Sequence, residues 1–538
     1  MLEGSPTPWS YVLIRLLFRF VLKIFYGTIV IEGIDLVPET GKPCIVCANH
    51  SNSLTDALLL VTSIPSKRRN MLRLTAKATQ FGHRTFTSWL IESAGTVPIK
   101  RRKDSADGKA DNTDAMLKLM EALELGDAIC LFPEGMSRFH PTIAPLKTGV
   151  ARLVSDVLTR NRNDPDFEVS VLTCSITYMH RQHFRSDVLV SFHTPTTFTP
   201  KNNPELLAPV DFDQIRSLTS EMQKIISAGT LDSPTWDLIR TAKLAARMYA
   251  PLGTLMTLGD YVRLIRQFLD AFKNAEPHTP PKDRGIEREG NLVLNTSDVF
   301  ALQIDLKGRQ AYQDQLSHCG IKDDRIRRLL PRRTIFSRML IRLLWSLCLF
   351  TISLPGLILW LPVFATTFYA VRNFKKTGPI FDTWDEIAQY KLIYGLISGL
   401  CVWFAAVALT WPIALFTMFL VPSLMWITLR WCEDAVSAFR AFTSLLRLLQ
   451  VGKPTLKGMQ EKRRELYNRV MDLATSSLGL PENPETHFAL SGGKEKGRVR
   501  GSWDSRARYF SIKRRRKRDW NETLRLYDKV DYPADDSE

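Results

Sequence analysis

Apolar and polar residues first fall into a helical rhythm. Residues 10–26, SYVLIRLLFRFVLKIFY, place Arg15, Arg19 and Lys23 at every fourth position, a narrow cationic stripe on an otherwise apolar helix. An apolar arc that wide predicts a helix in a membrane interface, with its charges among lipid headgroups. From about residue 28 the rhythm changes to short apolar runs separated by helical stretches. Strands are predicted at 28–32, 44–48, 96–99, 128–132, 169–178 and 188–192, and helices at 54–63, 115–125 and 149–159. Strands alternating with helices of this length predict an α/β domain with an extensive sheet. Residues 100–114 are charged and read as a loop.

Beyond about 210 the chain reads as mostly helical and polar, with a proline-rich break at 276–282 (EPHTPPK) and a basic run at 325–333. Two stretches then carry no formal charge, one between Arg342 and Arg372, the other between Lys391 and Arg430. A membrane span needs roughly 20 apolar residues. The first stretch is therefore long enough to cross once, and Pro355 and Pro362 within it permit a broken or re-entrant helix. The second is one long tilted span or a hairpin bent near Pro412. The expected organisation is an interfacial helix at 1–27, a catalytic α/β domain at 28–210, a helical region at 211–334, a transmembrane region at 335–450 and a polar basic tail at 451–538.

Charge sharpens this picture. With 72 basic and 55 acidic residues the net charge is +17, which points to an anionic partner such as phospholipid, a phosphorylated substrate or nucleic acid. No zinc, helix-turn-helix or aromatic-interleaved motif supports nucleic acid. The run KRRRKR at 513–518 reads as lipid contact, a nuclear localisation signal or a solvated charge run. The eight cysteines form no framework. Cys44 and Cys47 are spaced C-x-x-C without a second pair, so buried strand thiols in a reduced, cytosol-facing chain are the expectation. No cleavable signal peptide is read in the arginine-studded N-terminus, and no metal-ligand cluster is evident.

The candidate chemistry begins in CANHSNSLTDALLL, where His50 follows a predicted strand and Asp56 opens a leucine-rich helix. A histidine held by a carboxylate is suited to taking a proton from a hydroxyl. Six helical steps would turn the two side chains about 240° apart, so His50 must sit in the strand–helix turn. Further stretches follow in order: Gly95-Thr-Val-Pro-Ile-Lys-Arg101, Phe132-Pro-Glu-Gly135 with Ser137, Pro145-Leu-Lys-Thr-Gly-Val-Ala151, and VSVLTCSITYMH at 169–180.

This series resembles the four blocks of the PlsC-like glycerolipid acyltransferase family. The nearest resemblance is to the fungal-type glycerol-3-phosphate/dihydroxyacetone-phosphate acyltransferases, through APLKTGVA, YMHRQHFRSDVLVSF, DLIRTAKLAARMY and PGLILWLPVF, and it covers roughly residues 20–430. Five residues separate His50 from Asp56 where the family usually has four. Thr173 and Cys174 lie where its fourth block usually has proline.

The resemblance implies an acyltransferase-type sheet flanked by helices and an acyl-CoA-dependent transfer to glycerol 3-phosphate at the sn-1 hydroxyl, with dihydroxyacetone phosphate as a possible acceptor. It implies His50 as base and Asp56 as its orienting partner. Arg101 is the main phosphate partner, with Lys100 and Lys147 as further cations. Glu134 and Gly135 shape the acceptor site, through the glycerol hydroxyl or by orienting Arg101, and Ser137 completes the substrate-binding set. Acyl-CoA is a co-substrate and no cofactor is implied. Membrane lipids are the other partner, at the endoplasmic reticulum, with the catalytic domain facing the cytosol. A cytosolic tail then requires an even number of crossings, which favours two crossings or re-entrant hairpins over three. Two alternatives stay open: transfer to lysophosphatidate or another lysophospholipid, and a non-catalytic membrane scaffold.

Overall fold

The computed structural model describes residues 3–84, 86–100, 111–138, 140–181, 184–250, 254, 256–275, 308, 311–321, 323, 326, 331–377 and 386–491. It divides into two compact units, one built from residues 1–232 with 371–393, the other from 233–370 with 394–495.

The first unit is mixed α/β. Its strands are β1 (Thr28–Glu32), β2 (Cys44–Ala48), β3 (Leu72–Arg73), β4 (Thr75–Lys77), β5 (Val97–Ile99), β6 (Ala128–Leu131), β7 (Val169–Tyr178), β8 (Asp187–Phe192) and β9 (Thr196–Phe198). The main sheet runs β1-β8-β7-β2-β6-β3, with β9 against the start of β7. β2 lies between β6 and β7 and parallel to both, so the three carboxyl ends open on the same side. All five residues of CIVCA in β2 are buried, as expected of a strand covered on both faces. The strand predicted at 96–99 forms, but it pairs only with β4 in a separate two-stranded ribbon. Pro98 has no N–H to donate, which suits such a marginal strand.

Helices α1 (Trp9–Phe25), α2 (Leu54–Ser63), α3 (Phe86–Ser93), α4 (Thr113–Glu124), α5 (Gly149–Arg160) and α6 (Phe212–Gly229) complete this unit. Leu119, Ala122 and Leu123 of α4, Val150, Leu153, Val154 and Val157 of α5, and Met222 and Ile226 of α6 share one core with Ile45, Ile129 and Val171 of the sheet. Each such fully buried aliphatic side chain contributes roughly 1.5–3 kcal/mol. Residues 101–110, the greater part of the loop predicted at 100–114, lie outside the described residues.

The N-terminal helix departs from its predicted use of charge. Arg15 faces inward and donates to the carbonyls of Ile64, Arg69 and Asn70, while Tyr11 Oη accepts from Leu72 N. Arg185 gives its guanidinium to the carbonyls of Lys23, Ile24 and Tyr26 at the end of α1, a favourable partner for unpaired helix carbonyls. The outward side is largely apolar, with Trp9, Val12, Leu13, Leu16 and Phe20 exposed and Arg19 exposed beside them.

The second unit is helical, comprising α7 (Trp236–Tyr249), α8 (Leu258–Ala275), most of α9 (Arg332–Thr377) and of α10 (Ile387–Leu409), α11 (Ala414–Val451), α12 (Lys453–Asp472) and α13 (Pro484–Ser491). Three helices, 332–377, 387–409 and 411–451, are long and apolar enough to cross a membrane. α9 runs unbroken through Pro355 and Pro362. The second apolar stretch is a hairpin, broken by the short turn Trp411–Ile413 around Pro412, as one of the two sequence readings had it. Three long apolar helices thus stand where an even number of crossings was favoured.

Gly356 on α9 lets α11 approach closely, since a Cβ there would lie 1.8 Å from Thr428 Oγ1. Indole N–H groups add cross-helix bonds, Trp360 Nε1 to Met425 O at 2.9 Å and Trp403 Nε1 to Met418 O at 3.0 Å. Farther along, Arg463 of α12 grips Asp323 through two bonds of 2.8 and 2.9 Å, and Tyr312 Oη donates to the same carboxylate. The start of the predicted polar tail is therefore packed helix. The KRRRKR run and the proline-rich break at 276–282 lie outside the described residues.

Candidate active site

The site grows from the carboxyl end of β2. Buried Asn49 extends the ladder with its side chain: Nδ2 donates to Ile176 O at 3.0 Å, and Oδ1 accepts from Ile176 N at 2.7 Å. That pair fixes where the strand ends and delivers His50 into the turn before α2. His50 Nδ1 lies 2.9 Å from Asp56 Oδ2. The imidazole stacks on Phe132 with centroids 4.2 Å apart and planes 18° from parallel. His50 keeps 19% side-chain exposure while Asp56 has none. An ionised Asp56 accepts a proton-bearing Nδ1, which leaves the Nε2 lone pair for a substrate proton.

Asp56 is held on every side. Oδ2 also accepts from Ser51 N at 2.9 Å and Asn52 N at 2.8 Å, and Oδ1 accepts from Tyr178 Oη at the end of β7. Charge-assisted bonds of this kind stabilise a carboxylate that has lost its water. Tyr178 packs against Tyr26, whose hydroxyl accepts from Asn52 Nδ2 at 3.2 Å. Burial, with Asp56 adding to it, pushes both phenols well above their ordinary range, so both are donors across the neutral and alkaline range. Arg181 is buried nearby and donates to Ser51 O.

The unusual spacing is absorbed at Ser53. It has φ 47° and ψ −134°, a conformation that ordinarily selects glycine, within a turn closed by Thr55 N to Asn52 O at 3.0 Å. Such a residue costs on the order of 1–3 kcal/mol and persists only where its surroundings hold it. Here Ser53 N donates to Ser137 Oγ at 2.9 Å, and Ser53 Oγ donates to Gln389 Oε1 at 3.0 Å.

The turn after β6 supports the same histidine. Glu134 is buried and spends both carboxylate oxygens on backbone amides: Oε1 accepts from His50 N at 2.6 Å, Oε2 from Ala144 N at 3.1 Å. Its carboxylate thus clamps the His50 backbone to the 144 segment. Burial raises its pKa, opposed by those two amides. Arg138 N donates to His50 O at 3.1 Å and ties the turns together again. Gly135 is favoured by its φ of +73°, and the Lys147 side chain lies against the place a Cβ would take. Lys147 is therefore drawn across the Glu134–Gly135 turn, its own N–H bound to Pro133 O at 2.8 Å.

His50, Asp56, Glu134, Gly135, Ser137 and Lys147 are brought together in this way. Lys100 is exposed, its backbone clasped by Asn112. Arg101 lies outside the described residues. Asn49, Tyr26, Tyr178 and Gln389 were not singled out from the sequence, although the aromatic ending the long apolar run of β7 was a visible signal for Tyr178. Burial raises the strand thiols Cys47, Cys130 and Cys174 above their ordinary range, and pushes Cys44, at the opposite end of β2, up to about 12.

Comparison with known proteins places this constellation. Residues 28–177 match the family model described as Acyltransferase. They form an acyltransferase-family domain. Residues 303–479 match a second model, the glycerol-3-phosphate acyltransferase 2 C-terminal domain. All candidate site residues from His50 to Lys147 fall inside the acyltransferase domain, whose matched segment stops one residue short of Tyr178.

Over 496 residues the chain is 22% identical to glycerol-3-phosphate O-acyltransferase 2 of Saccharomyces cerevisiae, covering 72% of this chain and 63% of the relative. An uncharacterized acyltransferase of Schizosaccharomyces pombe is 23% identical over 390 residues, covering 68% and 54%. Glycerol-3-phosphate O-acyltransferase 1 of S. cerevisiae is 22% identical over 303 residues, covering 54% and 36%. The chain therefore spans less than two thirds of the length of each of these curated relatives.

Proposed function

We propose that this chain is a membrane-associated acyltransferase that moves a fatty acyl group from acyl-CoA to the sn-1 hydroxyl of glycerol 3-phosphate. The observation that carries the reading is the His50–Asp56 pair at 2.9 Å, with Nδ1 committed to Asp56 and no protein group bonded to Nε2 among the described residues. The relatives named for glycerol 3-phosphate acylation supply the acceptor class.

The acceptor hydroxyl gives its proton to His50 Nε2 as its oxygen attacks the thioester carbonyl. The charged imidazolium is stabilised by the Asp56 carboxylate. As the C–S bond breaks, the same proton passes to the departing CoA sulfur, so no acyl-enzyme is formed and no proton is left over. The raised thiol pKa values of Cys130 and Cys174 near Asp56 support direct transfer over a cysteine intermediate. Lys147, drawn over Gly135, is a cation for the acceptor phosphate together with Arg101 and Lys100. Glu134 serves the chemistry by holding the His50 backbone.

Membrane attachment is supported by the three long apolar helices and by the outward apolar face of α1, including Trp9, Leu13 and Leu16. We place the enzyme in the endoplasmic reticulum membrane with its acyltransferase domain on the cytosolic face, where both soluble substrates are available. Dihydroxyacetone phosphate is a second acceptor on this reading.

The test is acceptor-dependent CoA release by purified full-length protein in detergent, with glycerol 3-phosphate, dihydroxyacetone phosphate and lysophosphatidate each offered alone. Turnover with glycerol 3-phosphate is expected. Turnover with lysophosphatidate alone would keep the chemistry and replace the acceptor. No release with any acceptor would favour a lipid-binding scaffold.

A further inference from the structure

The polar start of α10 meets the strained turn of the active site. Residues 371–393 belong to the same compact unit as the acyltransferase domain, although they join two apolar helices of the C-terminal region. In this elbow Phe374 stacks on Tyr390 with centroids 4.1 Å apart, and Ile387, Ala388 and Leu392 are buried. From it Gln389 presents Oε1 to two donors, Ser53 Oγ at 3.0 Å and Leu54 N at 3.4 Å.

Ser53 stands at the N-cap of α2 but makes no side-chain capping bond of its own. Its hydroxyl is turned away to Gln389, and the glutamine oxygen occupies the place of the missing cap for the first free amide of α2. The residue so tethered is the one with φ 47°, and it lies between His50 and Asp56. Its relaxation would shift Ser51 N and Asn52 N, which hold the Asp56 carboxylate.

We propose that Gln389 is a positioning residue for the His50–Asp56 pair, so that the C-terminal family domain contributes a side chain to the acyltransferase centre and is more than a membrane anchor. The proposal rests on the acyl-transfer reading for its consequence, but the tether itself has a readout without turnover. Gln389→Ala removes the only acceptor that Ser53 Oγ has among the described residues. Gln389→Glu keeps the acceptor and places a negative charge at a helix N-terminus, where it is favourable. Ser53→Gly removes both the hydroxyl and the backbone penalty, so the turn no longer needs the tether.

The experiment uses the full chain in detergent, with wild type, Gln389→Ala, Gln389→Glu, Ser53→Gly and the Ser53→Gly/Gln389→Ala pair. Gln389→Ala is expected to lower kcat about five- to tenfold with KM for glycerol 3-phosphate unchanged. Gln389→Glu should stay within about twofold of wild type, and in the Ser53→Gly background the loss should shrink to under about twofold. Hydrogen exchange at the 51–56 amides should quicken about tenfold in Gln389→Ala and not in Gln389→Glu. Wild-type exchange and kcat in Gln389→Ala would overturn the proposal. Equal damage by Ala and Glu, or an undiminished loss beside Ser53→Gly, would also overturn it. A wild type with no His50-dependent turnover would refute the acyl-transfer reading instead, and exchange would then decide the tether.

Discussion

Replacing Asp56 by Asn separates charge from geometry at the centre. Three donors, His50 Nδ1, Ser51 N and Asn52 N, converge on Oδ2 within 2.8–2.9 Å, whereas Oδ1 meets Tyr178 Oη. An asparagine set with its oxygen in the Oδ2 place keeps all three donors and turns its NH2 toward the tyrosine oxygen. Tyr178, packed against Tyr26, then accepts from that NH2 instead of donating to a carboxylate. The histidine keeps its proton on Nδ1 and loses only the neighbouring charge. At an effective dielectric of about 20 and a charge separation of about 4–5 Å, that charge is worth roughly 3–4 kcal/mol to the imidazolium. The expected loss in kcat/KM for Asp56→Asn is therefore about 10²- to 10³-fold.

Asp56→Ala does more harm. It also leaves two buried amides without an acceptor, at about 1–3 kcal/mol each, and frees the ring to turn. Its loss should exceed that of Asp56→Asn by at least about tenfold. Acceptor-dependent CoA release across a pH series measures both. Equal losses for Asn and Ala would refute the argument from convergence on Oδ2, and an unimpaired Asp56→Asn would remove the carboxylate charge from the mechanism.

Two further substitutions probe the supports of the pair. Tyr178→Phe removes a charge-assisted bond worth about 1.5–3 kcal/mol and leaves the ring packed on Tyr26. We expect kcat/KM for acceptor-dependent CoA release to fall about tenfold; an unimpaired Tyr178→Phe would show that the hydroxyl does not support the pair. Glu134→Gln tests burial: a carboxyl raised by burial favours folding below the ordinary carboxylate range, and that contribution is lost as pH rises through its raised value. The neutral glutamine lacks this slope, so the stability of wild type relative to the variant, from thermal unfolding of the full chain, should decline as pH rises across that window. A difference that stays flat or grows would contradict the burial argument.

Strand positions were legible because the sheet interior demands continuous apolar runs, and CIVCA and VSVLTCSITY have little else they can be. The His50–Asp56 pair was legible because both partners lie in one strand–turn–helix segment. The supports were harder to read. Glu134 was placed in the right turn, but its use of both oxygens on backbone amides depends on how two loops meet. Gln389 is 336 residues from Ser53, and a lone glutamine in an apolar helix leaves no periodic trace. Arg15 misled for a related reason: a four-residue spacing gives the face of a helix, not what that face meets, and here it meets the free carbonyls at Ile64 and Asn70.

The central claim is that His50 takes the acceptor proton. The most direct measurement compares wild type with His50→Ala, both purified at full length and shown to unfold at the same temperature, for CoA release from oleoyl-CoA with glycerol 3-phosphate present and absent. The account predicts acceptor-dependent release by wild type and a loss of about 10²- to 10⁴-fold in the variant. A variant that releases CoA at the wild-type rate would contradict it.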